Sequence, residues 1–497
     1  MRTTRRSTIA AFTIVAIVLL AAACGPDGSG PGFKAPSSED FSGMSWTDAF
    51  EKMNDKMSRE YAFTEWKGID WKALYDEFGP LIEKAEQAGS MEDYYVTLRK
   101  YLCSFMDGHM GIDGDDLGLA GKLFEGGFGL TLERLDDGRI IANWVKEGGP
   151  AGRAGVSTGA EVLEWAGKPI GEALAQTETC FSLYPPATDE MLGCMQRYFL
   201  VRAPVGEERS VTFLSPGAPA AVTATMTAID DGMETLQHSY SLVGFPPSEN
   251  KDGVTSMVVP KTLPGEFGYI KIEGEYDLPS ELKGDRTPTM ELYDDAVQGF
   301  IDAGAPGLVL DVRSNDGGSD QMVADMMSRL FAESSFYEYQ NWYDAESGGM
   351  EIILVDDESG NFSDPGKGIT VEPGSPRFEG PVVVLVNPAC ISSGEGIAMC
   401  VDRLPAGEVA GFRGTNGSFG MVYGPLIKMP GGYSITYPIG QSLDEEKMVQ
   451  LDSREGKGGV SPSRPVPLTA ENAVRAGNGE DVELEYAVQL LQGIVNK

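Results

Sequence analysis

The chain has 497 residues, of which 41% are hydrophobic and 23% are charged, and its formal net charge is −36. A chain of this length can form two or three domains, each with its own core, and its composition is ordinary for a globular protein. Because no basic stretch offsets the acidity, we expect no nucleic acid among its partners.

The first residues show the pattern of a secretory signal. Three arginines precede an apolar run from Ile9 to Ala23, and Cys24 follows. A basic start, a short apolar core and small residues predict a signal peptide over residues 1–23 rather than a spanning helix. The end of this run resembles the bacterial lipobox, although Leu20 stands four places before the cysteine instead of three. The resemblance implies lipidation of Cys24, and a secreted protein with a free Cys24 is the alternative.

Residues 24–39 are rich in Gly, Pro and Ser, which is typical of a flexible tether. Residues 40–116 then carry apolar side chains at three- and four-residue spacing, which predicts a helical N-terminal domain. The tight turn Asp107-Gly108-His109 follows its last helix. The chain contains two histidines, and we interpret the other, His238, as a structural residue in a strand or linker.

From residue 117 to 235 the pattern changes to short predicted strands. The segments Gly126–Leu130 and Gly149–Gly155 resemble the carboxylate-binding loop and the short helix of a PDZ domain. Successive N–H groups in a Gly-rich loop can hold a peptide carboxylate while the adjacent strand pairs with the peptide. A Gly-rich hairpin without a ligand is the alternative. We therefore predict that a peptide-binding site is formed by Gly127, Phe128, Gly129 and Leu130.

Residues 236–265 are punctuated by Pro and Gly and predict a linker, whereas residues 266–497 alternate predicted strands and helices, as in an α/β domain. Within the latter, PVVVLVN (381–387) predicts a strand buried on both faces, and a small-residue segment beginning at Ser392 opens a helix. At such a corner the free N–H groups and dipole of the helix favour a nucleophilic hydroxyl. A serine that merely caps the helix is the alternative.

Four motifs occur in the order found in the C-terminal processing and tricorn-type serine peptidases, and this domain resembles that family. They are Leu310–Gly318, the corner at Ser392, Gly411–Thr415 and Glu455–Pro462. Ile69-Asp70-Trp71 and the turn at His109 extend the resemblance to the helical region. It implies a multidomain α+β protein: a helical N-terminal region, a PDZ-like β-rich domain, and a C-terminal α/β catalytic domain of the ClpP/crotonase-like type.

By this resemblance Ser392 is the nucleophile. The backbone N–H of Ser393, with one from Gly317 or Gly318, then forms the oxyanion hole that stabilises charge in the transition state. One branch of the family uses a Ser-Lys dyad, and this dyad is excluded because Gly417 stands at the position of the lysine.

The tricorn-like branch takes its histidine from the N-terminal part, and His109 matches it. That branch also has a late glutamate that orients the histidine, for which the candidate is Glu455. The serine that precedes the histidine in the branch is replaced here by Gly108.

The sequence therefore predicts a tail-specific or tricorn-type serine endopeptidase that hydrolyses extended polypeptides through a Ser-His acyl-enzyme. Its predicted location is the bacterial cell envelope, to which the lipid on Cys24 anchors it after export. Its substrates would be polypeptides or protein C-termini, and no cofactor is expected. One alternative is a catalytically lapsed lipoprotein that binds peptides in the PDZ-like groove. Another is an esterase or transferase with the same nucleophile, because acyl transfer does not require a peptide.

The remaining cysteines give two further expectations. No CxxC or His-rich spacing is present, so we predict no metal site. Five cysteines follow Cys24, and proximity in the sequence favours a disulfide between Cys180 and Cys194 in an exported chain.

Overall fold

The computed structural model describes residues 29–30, 33–114, 118, 123–182, 184–243, 256–278, 288–356, 361–422 and 426–496. The predicted signal peptide and Cys24 lie outside the described residues, as does part of the tether, so these features stay predictions. Among the residues that are described, no helix is long and apolar enough to cross a membrane.

Three helices form the N-terminal region, as the spacing of apolar residues predicts. Ser45, Asp70 and Ser90 each cap one of them by accepting a hydrogen bond from the N–H three residues later. Short strands precede and follow the helices. The elements are β1 (Ser29–Gly30), β2 (Phe33–Lys34), β3 (Glu39–Asp40), α1 (Trp46–Glu60), α2 (Trp71–Ala88), α3 (Met91–Cys103) and β4 (Gly111–Asp113).

Residues 123–243 form a β-rich domain. Its strands are β5 (Gly126–Gly127), β6 (Leu130–Arg134), β7 (Ile140–Val145), β8 (Glu161–Trp165), β9 (Lys168–Pro169), β10 (Arg202–Ala203), β11 (Glu208–Leu214), β12 (Val222–Thr227) and β13 (Ile229–Asp230). Its helices are α4 (Pro150–Arg153), α5 (Ile170–Ala175), α6 (Asp189–Leu200) and α7 (Glu234–Val243). An antiparallel sheet has the order β12-β11-β8-β7-β6, and a smaller one the order β10-β5-β13.

The interpretation of His238 as part of a strand or linker is wrong, because this residue lies in α7. The helix packs against the β-rich domain: the His238 ring stacks on Trp144, with ring centroids 4.3 Å apart. The region predicted as a linker from residue 236 therefore begins inside a packed helix.

The C-terminal domain is built on a six-stranded sheet of order β14-β15-β16-β22-β23-β27, parallel except for β14. These strands are β14 (Val258–Thr262), β15 (Gly268–Ile272), β16 (Leu308–Asp311), β22 (Val382–Leu385), β23 (Gly407–Gly411) and β27 (Arg464–Pro465). The helices are α8 (Thr289–Asp302), α9 (Asp320–Met327), α10 (Ser393–Asp402), α11 (Ala470–Gly477) and α12 (Val482–Val495).

Helices cover both faces of this sheet. Val382 and Val384 pack in one core with side chains of α8, α9 and α10, whereas Val383 and Leu385 pack in another with α12. A strand covered on both faces has no solvent-facing positions, which is why β22 reads as an unbroken apolar run. The α/β architecture predicted for this domain is confirmed.

The remaining strands of the C-terminal domain form smaller sheets. β17 (Ser335–Asp344) pairs with β18, β21 and β26, and β19 pairs with β20. The strands are β18 (Gly349–Ile352), β19 (Leu354–Asp356), β20 (Asn361–Ser363), β21 (Ile369–Val371), β24 (Ile427–Lys428), β25 (Ser434–Thr436) and β26 (Gly440–Leu443).

The N-terminal region and the C-terminal domain are joined by a shared sheet of order β3-β24-β25-β4. They also share a core, in which Phe50 and Tyr101 pack in one cluster with Tyr433 and Ile435. Because β4 begins two residues after His109, this pairing holds the histidine turn against the C-terminal domain.

Candidate active site

Ser392 lies between β22 and α10 in a backbone conformation that serine rarely adopts. Its φ is 59° and its ψ is −137°, and its side chain makes no capping hydrogen bond to the helix. A residue other than glycine pays a conformational cost at such angles, and such strain is concentrated at functional sites. A sharp, strained strand-to-helix turn presents the nucleophile of many hydrolases. The capping alternative is wrong for this serine, and its hydroxyl remains available for chemistry.

The Gly317-Gly318 turn follows the neighbouring parallel strand β16 and lies directly against Ser392. A Cβ atom on Gly317 would be 2.5 Å from Ser392 Cβ and 3.0 Å from Ser392 Oγ, and the φ of Gly317 is 86°. Both the close approach and the left-handed backbone require glycine here. The carboxyl ends of two adjacent parallel strands thus place the turn beside the serine, as this kind of sheet does with its ligand sites.

The backbone N–H groups near Ser392 differ in whether they have an acceptor among the described residues. The N–H of Gly317 donates to Asn315 Oδ1 at 2.8 Å, so it is already used. Within the described part of the chain, the N–H groups of Gly318 and Ser393 donate to no protein acceptor. Ser393 Oγ donates to the Gly318 carbonyl at 3.0 Å, which holds these two residues together. Of the two glycines named from sequence, Gly318 is therefore the one whose N–H has no acceptor among the described residues.

A buried side-chain pair fixes the shape of this turn. Asn315 Nδ2 donates to Glu275 Oε1 at 2.6 Å, and the N–H of Glu275 donates to the Gly317 carbonyl at 3.2 Å. Burial raises the pKa of Glu275 to about 8, so its carboxyl group is largely neutral at pH 7. Asn315 lies in the motif Leu310–Gly318, but the sequence assigns no role to it or to Glu275, because a support of this kind depends on contacts between distant segments.

His109 is held in a tight turn by the aspartate two residues before it. Asp107 Oδ1 accepts the N–H of His109 at 2.9 Å and lies 3.9 Å from His109 Nδ1. The other oxygen of Asp107 accepts the Tyr61 hydroxyl at 2.8 Å. His109 is 8% exposed, so the ring is enclosed but still reaches the surface. This arrangement fixes the backbone of His109 and places a carboxylate near Nδ1 of its imidazole ring.

The surroundings of His109 favour the neutral imidazole that a general base requires. Burial lowers the pKa of His109, the nearby Lys67 ammonium lowers it further, and Asp107 partly opposes both. The Lys67 side chain is only 6% exposed, and its Nζ donates to the Met106 carbonyl at 3.0 Å and to Ser453 Oγ at 2.8 Å. Lys67 thus links the segment before His109 to the late part of the C-terminal domain.

A buried carboxylate, Asp452, lies in this network and was missed from sequence. Its Oδ1 is 3.2 Å from Lys67 Nζ, and its Oδ2 accepts the N–H of Phe419 at 2.9 Å. Glu455, the acid named from sequence, lies three residues later and is exposed to solvent. An exposed carboxylate is poorly placed to orient an enclosed imidazole, whereas Asp107 and Asp452 are both buried. No spacing in the sequence marks Asp452, because its partner Lys67 lies far away in the chain.

The histidine turn and the serine corner meet through their neighbouring residues. A Cβ atom on Gly108 would lie 2.8 Å from Ile391 Cδ1, so the residue before His109 packs on the residue before Ser392. The structure therefore brings Ser392, Ser393, Gly317, Gly318 and His109 to one place, and leaves Glu455 outside it.

The predicted peptide-binding loop is closed. Gly127, Phe128, Gly129 and Leu130 are all buried, and the N–H of Phe128 donates to the Val201 carbonyl at 3.4 Å. β5 pairs with strands on both sides.

The space over Gly127 is also filled. A Cβ atom there would meet the Asp231 carboxylate at 2.2 Å and Arg202 Nη1 at 2.5 Å. Asp231 and Arg202 form a buried ion pair at 2.7 Å. The chain's own carboxylate therefore lies beside the predicted carboxylate site.

The expected disulfide is absent. Cys180 and Cys194 are both free and buried, as are Cys390 and Cys400, and Cys103 is free and partly buried. Among the described residues, no group of three or more His, Cys, Asp or Glu side chains is arranged to hold a metal ion.

Comparison with known families gives two sequence matches. Residues 266–462 match Peptidase family S41, and residues 43–93 match the Tricorn protease C1 domain. A search of curated protein sequences returns no significant match.

Solved structures resemble this chain over most of its length. The structure of mature CPAF complexed with lactacystin is 14% identical, covers 91% of this chain and 99% of its own, and gives a TM-score of 0.60. A second structure of mature CPAF is also 14% identical. It covers 91% of this chain and 98% of its own, with a TM-score of 0.60. The photosystem II D1 C-terminal processing protease is 19% identical and covers 88% and 98%, with a TM-score of 0.37, too low to bear on the fold. At these identities the CPAF likeness establishes the fold alone.

The fold and the family matches define the chain as a serine-type peptidase. Its catalytic domain matches the model of Peptidase family S41 and its helical region matches that of the Tricorn protease C1 domain, which supports a peptidase of the tail-specific and tricorn type.

Proposed function

We propose that this peptidase cleaves extended polypeptides with Ser392 as nucleophile and His109 as general base. The observation that carries the proposal is the strained backbone of Ser392, whose hydroxyl does not cap the helix although it stands at the helix N-terminus. A structural serine at this position would gain stability by capping, whereas a nucleophile must keep its hydroxyl free.

The proposed mechanism assigns one role to each of these groups. His109 takes the proton of Ser392 Oγ while that oxygen bonds to the carbonyl carbon of the scissile peptide. The carbonyl oxygen becomes negatively charged and accepts hydrogen bonds from the N–H groups of Gly318 and Ser393. His109 then gives its proton to the departing amine, and the acyl-enzyme forms.

Water completes the cycle. His109 removes a proton from a water molecule, whose oxygen attacks the acyl carbon, and the proton returns to Ser392 Oγ as the acid product leaves. Asp107, on the Nδ1 side of the ring, stabilises the imidazolium that forms in each half-reaction. In this proposal Asp107 orients His109, which is the role that the sequence predicted for Glu455. The Lys67–Asp452 pair supports this arrangement.

A fluorophosphonate probe tests the proposal, because it reacts with an activated serine. We expect labelling of the wild type and of Ser393→Ala, and no labelling of Ser392→Ala or His109→Ala. A folded wild type that does not react would refute the mechanism and favour the catalytically lapsed binding protein. Loss of labelling in Ser393→Ala, with labelling kept in Ser392→Ala, would move the nucleophile by one residue.

The closed loop in the PDZ-like domain bears on the substrate. Because Asp231 and Arg202 fill the space over Gly127, we propose that substrates bind as extended polypeptide without insertion of a terminal carboxylate there. A peptide and its C-terminal amide should then be cleaved at similar rates. A strong preference for the free acid would contradict this and favour opening of the loop.

We further propose that the protein is exported and anchored to the cell envelope through lipid on Cys24, on the strength of the sequence pattern alone. Metabolic palmitate should label the wild type and not Cys24→Ser. Equal labelling, or a processed wild type that is insensitive to globomycin, would contradict the anchor.

A further inference from the structure

Residues 414–420, here named the Ser418 loop, lie between the serine corner and the histidine turn. Asn416 and Ser418 within it are completely buried, and neither has a part in the steps proposed above. Buried polar side chains are retained in proteins when their hydrogen bonds are satisfied, so the partners of these two residues indicate what the loop does.

On one side, the Ser418 loop holds the segment that carries the nucleophile. The N–H of Ser392 donates to the Ser418 carbonyl at 3.0 Å. Asn416 donates twice, from its backbone to the Cys390 carbonyl at 2.9 Å and from Nδ2 to the Pro388 carbonyl at 3.1 Å. These three hydrogen bonds fix the approach to the strained corner.

On the other side, the loop holds the residue before His109. The N–H of Gly108 donates to Ser418 Oγ at 2.8 Å, and Ser418 Oγ donates to Asn416 Oδ1 at 2.9 Å. The hydroxyl therefore accepts one hydrogen bond and donates another. One residue contacts the nucleophile through its backbone and the histidine turn through its side chain.

The Ser418 hydroxyl and the Asn416 side-chain oxygen also occupy the space beside Gly108. A Cβ atom on Gly108 would lie 3.0 Å from Ser418 Oγ and 2.8 Å from Asn416 Oδ1. A side chain at residue 108 would therefore collide with the loop, and the polar group that faces the turn is supplied by Ser418 from a distant part of the chain.

The loop is in turn supported by a buried carboxyl group. Glu395 Oε1 accepts the N–H of Gly417 at 2.6 Å, and Glu395 lies in the first turn of α10, three residues after Ser392. The loop is thus anchored to the helix that begins at the nucleophile, and its position cannot change without moving that helix or breaking this bond.

We propose that Ser418 is a positioning residue of the Ser392–His109 pair, and that its hydroxyl sets the distance between the histidine turn and the serine corner. The proposal rests on the proposed function. Loss of this hydroxyl leaves the buried N–H of Gly108 without its acceptor, which lets the turn that carries His109 move relative to the nucleophile.

Substitution of Ser418 tests the inference by the rate of fluorophosphonate labelling. A misplacement of about 1 Å costs roughly 100-fold in rate, so Ser418→Ala should label about 10- to 100-fold more slowly, with kcat reduced and KM little changed on a peptide. Ser418→Thr keeps the hydroxyl and should restore most of the rate. Thermal unfolding shows whether each variant is folded.

Ser442→Ala is the matched control, because Ser442 is also buried, donates to Glu338 and accepts from Gln450 at 2.8 Å. It should lower stability and leave the labelling rate unchanged. Equal losses in Ser442→Ala and Ser418→Ala, or a Ser418→Ala variant that labels at the wild-type rate, would overturn the inference.

If Ser418→Ala does not fold, Gly108→Ala perturbs the same contact from the opposite side. It should reduce the labelling rate in a similar way, and labelling at the wild-type rate would overturn the inference. A folded wild type that fails to label refutes the proposed function itself. A reactive wild type with an equally reactive Ser418 variant refutes the positioning role alone.

Discussion

Gly317→Ala is the substitution whose effect on the proposed active site can be worked out most directly. The new Cβ atom would lie 2.5 Å from Ser392 Cβ and 3.0 Å from Ser392 Oγ. Carbon atoms are in favourable contact at about 3.5–4.0 Å, so Ser392 or the turn must move by about 1 Å. The backbone at residue 317, with φ at 86°, is also unfavourable for alanine.

These distances give an expected magnitude. A shift of about 1 Å in a reacting group costs roughly 100-fold in rate, which is about 2.7 kcal/mol of activation free energy. Left-handed strain of about 1–2 kcal/mol and overpacking of about 1–3 kcal/mol should lower the free energy of unfolding by about 2–5 kcal/mol in total. The variant should therefore fold with reduced stability and lose nearly all reactivity of Ser392.

The assay is the second-order rate of fluorophosphonate labelling, measured beside urea denaturation. Gly304→Ala is the matched control, because Gly304 has a φ of 67° and open space where its Cβ atom would stand. It should lose about 1–2 kcal/mol of stability from backbone strain and keep the wild-type labelling rate. The reasoning is refuted if folded Gly317→Ala labels as fast as the wild type, or if Gly304→Ala loses reactivity to the same degree.

Three other predictions concern ionisable side chains. Lys67→Met removes a positive charge that lowers the pKa of His109, so the acid limb of the labelling rate should move to higher pH; an unchanged limb would contradict this. Arg313→Met leaves the buried carboxylate of Asp311 without its closest cation, so urea denaturation should show a loss of about 3–5 kcal/mol, and a loss below 1 kcal/mol would exclude a structural role. Burial raises the pKa of Glu275 to about 8 from about 4.3 in the unfolded chain, so its contribution to stability is full at low pH and is lost as the pH rises through this window. Unfolding of Glu275→Gln should therefore depend less on pH between 5 and 8, and an equally steep dependence would contradict the assignment.

The predicted elements agree with the structure where local sequence controls them. The apolar spacing within residues 40–116 predicts helices where the structure has three, and the apolar run at 381–387 is a central strand. His238 is the exception, because its helix is stabilised by packing on the β-rich domain rather than by a strong local pattern.

The candidate site was less accessible to sequence reasoning. The corner at Ser392 and the turn at His109 were recognisable because each is a short, contiguous pattern. Asp452 and Lys67 were not, since a buried ion pair between segments far apart in the chain leaves no spacing to read.

By itself, the sequence determined the alternation of strands and helices, the strand-to-helix corner with its serine, and the scarcity of histidine that directs attention to His109. Only the tertiary structure decided that the N–H of Gly317 donates to Asn315, that Glu455 is exposed, and that the space over Gly127 is filled. The reason is physical: backbone angles and helix signals depend on neighbours in the chain, whereas hydrogen-bond acceptors, burial and filled space depend on which distant segments pack together.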